Sequence, residues 1–234
     1  MSQTSTGTIL TFDIGGSNLK ATVLSAEGER LQEYKKLPTP KPSTPTALIA
    51  ALKELSGNFE GFEKISVGFP GYVRDGIVRT APNLGNDLWA RIPLADQLSD
   101  ALGKPVRMVN DADLQGLGVV RGEGLEFVIT LGTGFGTAFL LDGRLLPHLE
   151  IGQHPFTKTK NYDQYVGDKA FLEVGDERWN IRVLKVLNVL QTTFNYDHLY
   201  IGGGNAKKLN FDLDENMTLV SNKDGIRGGA RLWA

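Results

Sequence analysis

Apolar and polar positions along the chain change period several times, and those changes divide it into elements. Residues 8–14 (TILTFDI) and 19–25 (LKATVLS) are apolar, β-branched runs separated by Gly15-Gly16-Ser17-Asn18, which predicts two strands joined by a glycine turn. A third strand is expected over 30–37. Residues 37–45 (LPTPKPSTP) hold four prolines, so this stretch reads as an extended loop. Thr44-Pro45 then has the form of a helix N-cap followed by proline at the first helical position. Leu48, Ala51, Leu52 and Leu55 follow at helical spacing.

Farther on, 64–69 (KISVGF) predicts a strand and 71–80 a small hairpin around Asp75-Gly76. A helix over 93–102 leads to a strand over 106–109, then to Asn110-Asp111-Ala112-Asp113 and another helix. Strands over 126–131 and 135–141 flank Gly132-Thr133-Gly134. Helices are expected over 162–174 and 176–194, and a strand over 198–201 runs into Gly202-Gly203-Gly204. The order strand, glycine turn, strand occurs near residue 15 and again near residue 134, which suggests two halves built on one plan. No tandem repeat of short period is visible.

Length and composition narrow the class. The 234 residues suit one large domain or two small ones, and 41% hydrophobic with 22% charged residues excludes disordered and collagen-like chains. Glycine, at 28 residues, exceeds the usual ~7%, as expected where backbone approaches ligands in tight turns. The lack of cysteine removes disulfides, thiolate nucleophiles and cysteine-ligated zinc. No apolar run approaches the ~18 residues of a membrane helix, and MSQTSTGT lacks a secretory pattern. A net charge of −2 argues against wholesale nucleic-acid binding. The expectation is a soluble, cytoplasmic protein without nucleic-acid or membrane partners.

Four segments carry candidate chemistry. Asp13-Ile14-Gly15-Gly16-Ser17 places a carboxylate at a strand end beside a turn with free N–H groups. Such amides, with a serine hydroxyl, can cradle a phosphate while the aspartate holds Mg²⁺ through water. Lys20 adds charge there unless strand alternation turns it away. The segment also reads as an ordinary hairpin with a capping serine. Leu131 to Thr137 (LGTGFGT) has glycine at every second position, unlike a dinucleotide fingerprint or a Walker loop. It is either a second phosphate turn or a hairpin at a tight packing point. Asn110-Asp111 reads either as helix capping or as a ligand-binding asparagine with a general base. Glu150-Ile151-Gly152-Gln153-His154 offers polar groups for a hydroxylated ligand, or is a surface loop in which His154 is structural.

In this order the segments resemble the ROK family of sugar kinases. DIGGS at 13–17 resembles its first phosphate motif, NDAD at 110–113 its catalytic segment, and LGTGFGT at 131–137 its second phosphate motif. EIGQ at 150–153 resembles its sugar-binding glutamate motif, IGGG at 201–204 its nucleotide-side turn, and residues 224–230 its closing helix. TPKPSTP at 39–45, GFPGYV at 68–73 and TAPNLGNDLW at 80–89 resemble the polyphosphate glucokinases within that family.

The resemblance implies an α/β, actin-like (ribonuclease-H-like) fold of two domains with an interdomain cleft. Residues 1–108 would form the first domain and 109–223 the second, and 224–234 a closing helix back on the first. It implies phosphoryl transfer from polyphosphate or ATP to O6 of glucose, with Mg²⁺ and no structural zinc. Asp111 would take the O6 proton. Asn83, Asn110, Glu150, Gln153, His154 and Gly71 would contact the sugar. Asp13, Gly15, Gly16, Ser17, Lys20, Gly132, Thr133, Gly134, Gly202, Gly203 and Gly204 would lie on the donor side, with Asp13 holding Mg²⁺ through water.

Two departures from the family pattern bear on substrate choice. Gln153 stands where the family's Glu-x-Gly-His has histidine, with His154 one place later, and Asn205-Ala206 replaces a small apolar residue and serine. Arg178, Arg182 and Lys185 share a helix face, with Lys158, Lys160 and Lys169 nearby in sequence. That face is either a polyphosphate track or a solvated surface. The competing readings are an ATP-dependent ROK kinase for another hexose or amino sugar, and a non-catalytic sugar sensor. Only twelve residues precede Asp13, too few for the DNA-binding module of ROK repressors. Relatives are often homodimers; the stripe Val183, Val186, Leu187 and Leu190 reads as core in preference to interface.

Overall fold

The computed structural model describes residues 7–234, excepting the side chains of Asn222 and Lys223. The first elements are strands β1 (Ile9–Ile14), β2 (Asn18–Leu24) and β3 (Lys35–Pro38), helix α1 (Pro45–Ser56), and strand β4 (Lys64–Phe69). Strands β5 (Val73–Arg74) and β6 (Ile77–Val78), helices α2 (Asn86–Trp89) and α3 (Leu94–Leu102), strand β7 (Val106–Asn110) and helix α4 (Asp111–Val119) follow. Next come strands β8 (Leu125–Leu131), β9 (Phe135–Leu141) and β10 (Arg144–Leu145), then helices α5 (Tyr162–Val166), α6 (Asp168–Val174) and α7 (Asp176–Phe194). Strands β11 (His198–Gly202) and β12 (Met217–Leu219) and helices α8 (Asn222–Gly225) and α9 (Gly228–Arg231) complete the chain.

Two compact units result: the described residues up to Gly118 together with Ile226–Ala234, and Val119–Gly225. Their sheets share one plan. The first has the order β3-β2-β1-β4-β7 and the second β10-β9-β8-β11-β12. In each, an antiparallel hairpin (β1–β2, β8–β9) carries a third strand on its outer side. Parallel strands (β4 and β7, β11 and β12) extend the other side.

Strand alternation decides what covers each face of the first sheet. Leu10, Phe12, Ile14, Val67 and Phe69 form a core with Leu48, Leu52 and Leu55 of α1 and Leu94 and Leu98 of α3. Thr44 caps α1 through its side chain, which accepts from Ala47 N, with Pro45 in the first turn. Ile9 and Leu24 instead meet Ala230 and Trp233, so the chain's end covers the other face. Ser66 Oγ donates to Gly229 O at 2.6 Å, and Trp233 Nε1 donates to Ser66 Oγ at 2.9 Å.

Helix α4 stays with this first sheet. A β-carbon at Gly68 in β4 would lie 2.8 Å from Leu114 Cδ2 and 3.4 Å from the Asp111 Cα. A β-carbon at Gly228 would lie 1.8 Å from Leu114 O, so α9 presses on α4 backbone to backbone. This packing moves the division from the expected residue 109 to Gly118, and gives Asp111 to the first unit. The expected closing helix over 224–230 is two short turns, α8 and α9, of which only α9 belongs to the first unit.

In the second unit, α7 lays Trp179, Val183, Val186, Leu187 and Leu190 in one core with Phe127, Ile129, Leu131, Leu199 and Ile201 of the sheet. The apolar stripe of this helix is therefore interior. The helix expected over 162–174 breaks at Gly167, which is extended (φ −71°, ψ 177°) between α5 and α6. The strand expected over 30–37 contracts to β3, with Arg30 making only an isolated bridge to Leu24. Among the described residues, no helix is long and apolar enough to cross a membrane.

The segment entering β8 is pinned by a buried carboxylate. Glu126 accepts from Arg121 N at 2.7 Å, Gly122 N at 2.8 Å and Tyr200 Oη at 2.8 Å. Burial, reinforced by the hydrogen bond to Glu126, pushes the Tyr200 hydroxyl up to about 12. The folded state thus holds this proton more tightly than an unfolded tyrosine, whose pKa is ~10. Its stabilisation is complete below pH ~10 and lost as pH rises through the folded value. The unfolding free energy measured across that alkaline range should fall less steeply with pH in Tyr200→Phe than in the wild type. Gly228→Ala should destabilise the protein by about 1–3 kcal/mol or more in urea unfolding, because backbone and not a flexible side chain stands in the way. Gly204→Ala, whose added carbon meets nothing within 4 Å, should stay within about 0.5 kcal/mol.

Candidate active site

The first glycine turn is held by its carbonyl groups. Gly15 N donates to Asn18 O at 3.0 Å, closing the turn between β1 and β2. Thr39, from the proline-rich loop, donates its hydroxyl to Gly15 O at 2.6 Å and its N–H to Ser17 O at 3.0 Å. That loop is itself fixed where Trp89 Nε1 donates to Ser43 O at 2.9 Å. Gly16 and Ser17 are exposed, and among the described residues neither donates its backbone N–H within the chain. Two exposed residues whose backbone donors find no acceptor among the described residues suit an anion.

Asp13 stands directly opposite Lys20 in the antiparallel register, so the two share a face. Lys20 Nζ reaches Asp13 Oδ2 at 3.1 Å, so alternation brings the lysine to the aspartate. Asn83 joins this region: a β-carbon at Gly16 would lie 3.9 Å from the Asn83 Cβ.

Asp111 is the first residue of α4 and is half-buried, with Oδ1 accepting from Ala112 N at 2.9 Å. A carboxylate at a helix N-terminus is favoured by the helix dipole. Asn110, almost fully buried, accepts from Ala112 N at 2.8 Å and donates Nδ2 to Gly71 O at 3.0 Å. It caps α4 and also ties the bend at Gly71 to the helix that carries Asp111.

In the second unit the turn Gly132-Thr133-Gly134 joins β8 to β9, with Gly132 N donating to Gly134 O at 3.1 Å. Asp168 N at the start of α6 donates to Gly132 O at 2.9 Å. The Gly202-Gly203-Gly204 turn passes the end of β8: Gly203 has φ +90°, and a β-carbon there would lie 2.3 Å from Leu131 O. Asn205 N donates to the same Leu131 O at 2.9 Å, and Asn205 Nδ2 donates to Asp168 Oδ1 at 2.7 Å. Asn205 thus binds the two glycine turns into one structure.

Glu150 to His154 forms a short 3₁₀ turn over Ile151–Gln153 in place of an open loop. Glu150 Oε1 lies 3.2 Å from Nε2 of the buried His148. Gln153 Nε2 donates to Asp163 Oδ2 at 2.7 Å, and Asn161 Nδ2 donates to Gln153 Oε1 at 3.3 Å. Asp163 Oδ1 also accepts from Phe135 N at 2.6 Å. Burial pushes the Asp163 carboxyl up, with the charge of Glu150 adding to it and the bonds from Phe135 and Gln153 opposing. His154 is exposed, its ring 6.3 Å from that of Tyr162.

Thr39, His148, Asp163 and Asp168 have no counterpart among the sequence-derived candidates. Asn161 and Gln164 do carry a capping-box signature, which places Asp163 in a first helical turn. Nothing in that signature says which carbonyls or amides the helix end will face. The basic face is partly engaged: Arg182 lies over the Tyr165 ring at 4.8 Å, and Lys160 pairs with Glu173 at 3.0 Å. Among the described residues, no three His, Asp or Glu side chains gather to hold a metal.

Residues 9–154 match the ROK family. The chain belongs to the ROK family. A polyphosphate glucokinase of Mycobacterium leprae (strain TN) is 33% identical over 240 residues, covering 94% of this chain and 72% of that protein. The crystal structure of an inorganic polyphosphate/ATP-glucomannokinase from Arthrobacter sp. strain KM superposes with a TM-score of 0.86 at 27% identity. It covers 97% of this chain and 98% of that one. A ROK family glucokinase from Streptomyces griseus, in complex with glucose and AMPPNP, shares the fold at TM-score 0.82 and 20% identity. That superposition covers 97% of this chain and 99% of that chain. The fold of this ROK chain is thus the two-domain, actin-like α/β fold of ROK sugar kinases.

Thr39→Val keeps the side-chain shape but removes the hydroxyl that holds Gly15 O. It should cost about 1 kcal/mol in urea unfolding, and a change within the error of the measurement would discount the clamp.

Proposed function

We propose that this ROK protein transfers a phosphoryl group from inorganic polyphosphate or ATP to the 6-hydroxyl of glucose, giving glucose 6-phosphate. The observation that carries the reading is the similarity to a polyphosphate glucokinase along 94% of the chain. The glycine turns of both units and the half-buried Asp111 at the head of α4 support it.

Asp111 is the base. A sugar hydroxyl is a weak acid, so the carboxylate accepts its proton only as oxygen bonds to phosphorus. Asn83, Asn110, the Gly71 bend, His154 and Glu150, the last oriented by His148, are the sugar contacts, while Gln153 supports Glu150 from the framework. Amide and carboxylate groups suit this task because each can engage more than one hydroxyl.

Gly15, Gly16, Ser17, Lys20, Gly132, Thr133, Gly134, Gly202, Gly203 and Gly204 are the donor-side residues. Backbone amides supply fixed positive ends of dipoles, and phosphoryl transfer is mainly a matter of position and charge. Asp13 fits the way Mg²⁺ is bound in such enzymes, by one or two carboxylates with the substrate phosphates completing the shell. Asp13 would hold such an ion through water, and the ion would supply charge neutralisation for the donor phosphates.

Glucose 6-phosphate formation should be measured with polyphosphate and, separately, with ATP, both with Mg²⁺. Asp111→Asn should lower kcat by on the order of 1,000-fold, while glucose binding measured by calorimetry changes little. Normal turnover at saturation with weakened glucose binding would overturn the assignment of the base.

A further inference from the structure

The side chain of Asp163 is the least expected feature of the second unit. It belongs to the first turn of α5, but it does not cap that helix. The cap is Asn161, whose side chain accepts from Gln164 N, with Gln164 returning a bond to Asn161 N. Asp163 points away from α5 into a slot between the two segments that the proposed function uses.

Two glycines make the slot. A β-carbon at Gly134 would lie 2.9 Å from Asp163 Oδ1, and one at Gly152 would lie 2.6 Å from the same oxygen. Any larger residue at either position would expel the carboxylate. Inside the slot Oδ1 takes the N–H of Phe135, which ends the glycine turn, and Oδ2 takes the amide of Gln153.

We propose that Asp163 is a positioning residue that locks the Gly132–Gly134 turn to the Glu150–Gln153 segment. The donor-side and sugar-side parts of the second unit are thereby one rigid piece. This inference rests on the proposed function for its kinetic meaning, but not for the lock itself.

The polarity of the lock is fixed from both ends. Phe135 N–H requires an acceptor at position 163. Gln164 N–H turns the Asn161 oxygen inward, leaving Asn161 Nδ2 to donate to Gln153 Oε1 at 3.3 Å. Gln153 must then present Nε2 to Asp163, since its oxygen is engaged. Gln153, at the position where the family pattern has histidine, is thus committed to the framework by both ends of its amide. A sugar hydroxyl would be read by Glu150, which Gln153 keeps in place.

This polarity gives a decisive exchange. Asp163→Asn retains an acceptor for Phe135 but sets an NH₂ group against the NH₂ of Gln153. Gln153→Glu sets two carboxylates against each other. The double variant D163N/Q153E restores a donor–acceptor pair at each contact and keeps the net charge. The wild type and the three variants should be compared for kcat and for KM of glucose and of the phosphoryl donor, with melting temperature as a check on folding. Each single variant should lose ~10- to 100-fold in kcat/KM, with KM for both substrates raised, and the double variant should recover most of that loss.

A folded double variant no better than the worse single variant would overturn the lock, as would wild-type kinetics in D163N. Hydrogen exchange at the Phe135 amide separates this result from failure of the proposed function. If the wild type makes no glucose 6-phosphate from either donor, the kinase reading falls. Faster exchange in the single variants, reversed in the double, would still establish the lock. Unchanged exchange in all four proteins would sink it.

Discussion

Helix α4 is held where two other stretches of backbone come closer to it than any side chain would allow. Gly68 in β4 admits Leu114 on one side, and Gly228 in α9 meets Leu114 O on another. Such contacts leave little room for sliding, because the neighbours are backbone and a strand within a sheet. The head of the helix, with Asn110 and Asp111, is consequently placed by the sheet and by the chain's last residues together. Asn110 extends the restraint to the Gly71 bend, so a loop between strands takes its position from the same helix.

The second unit solves the corresponding problem with hydrogen bonds as well as close packing. Its two glycine turns meet at the end of β8, where Leu131 O accepts from Asn205 and Gly203 passes too closely for a side chain. Side-chain carboxylates complete the arrangement: Asp168 receives Asn205, Asp163 receives Phe135 and Gln153, and Glu126 receives the segment entering β8. An acceptor with two oxygens can join two backbone or amide donors that are distant in sequence, which a single hydrophobic contact cannot do with the same directionality. The departure at Gln153 belongs to this framework. An amide has both a donor and an acceptor end, and both ends are used.

The same sheet order in the two units places a glycine turn at the same point of each hairpin. The turns are held differently. Thr39 takes the carbonyls of the first, whose Gly16 and Ser17 N–H groups have no acceptor among the described residues, whereas Asp163 and α6 brace the second. The plan is repeated, but the braces are not.

Much of this was determined by sequence alone. Period-two apolar runs and glycine turns marked both hairpins, Thr44-Pro45 marked the start of α1, and the stripe from Val183 to Leu190 marked a buried face. These are local signals, set by backbone preference and by which side of an element is apolar. The order of the motifs was enough to indicate the ROK family. Tertiary structure decided what local preference cannot encode. At Gly167, where the helix breaks, a β-carbon would lie 2.6 Å from Asp163 O and 2.7 Å from Thr133 O, a crowding from the distant glycine turn that no local pattern shows. The assignment of α4 to the first unit follows from Gly68 and Gly228. Asp163 looked like one more acid in a helix's first turn, and only the folded chain brings Phe135 and Gln153 to it, because its partners are 28 and 10 residues away.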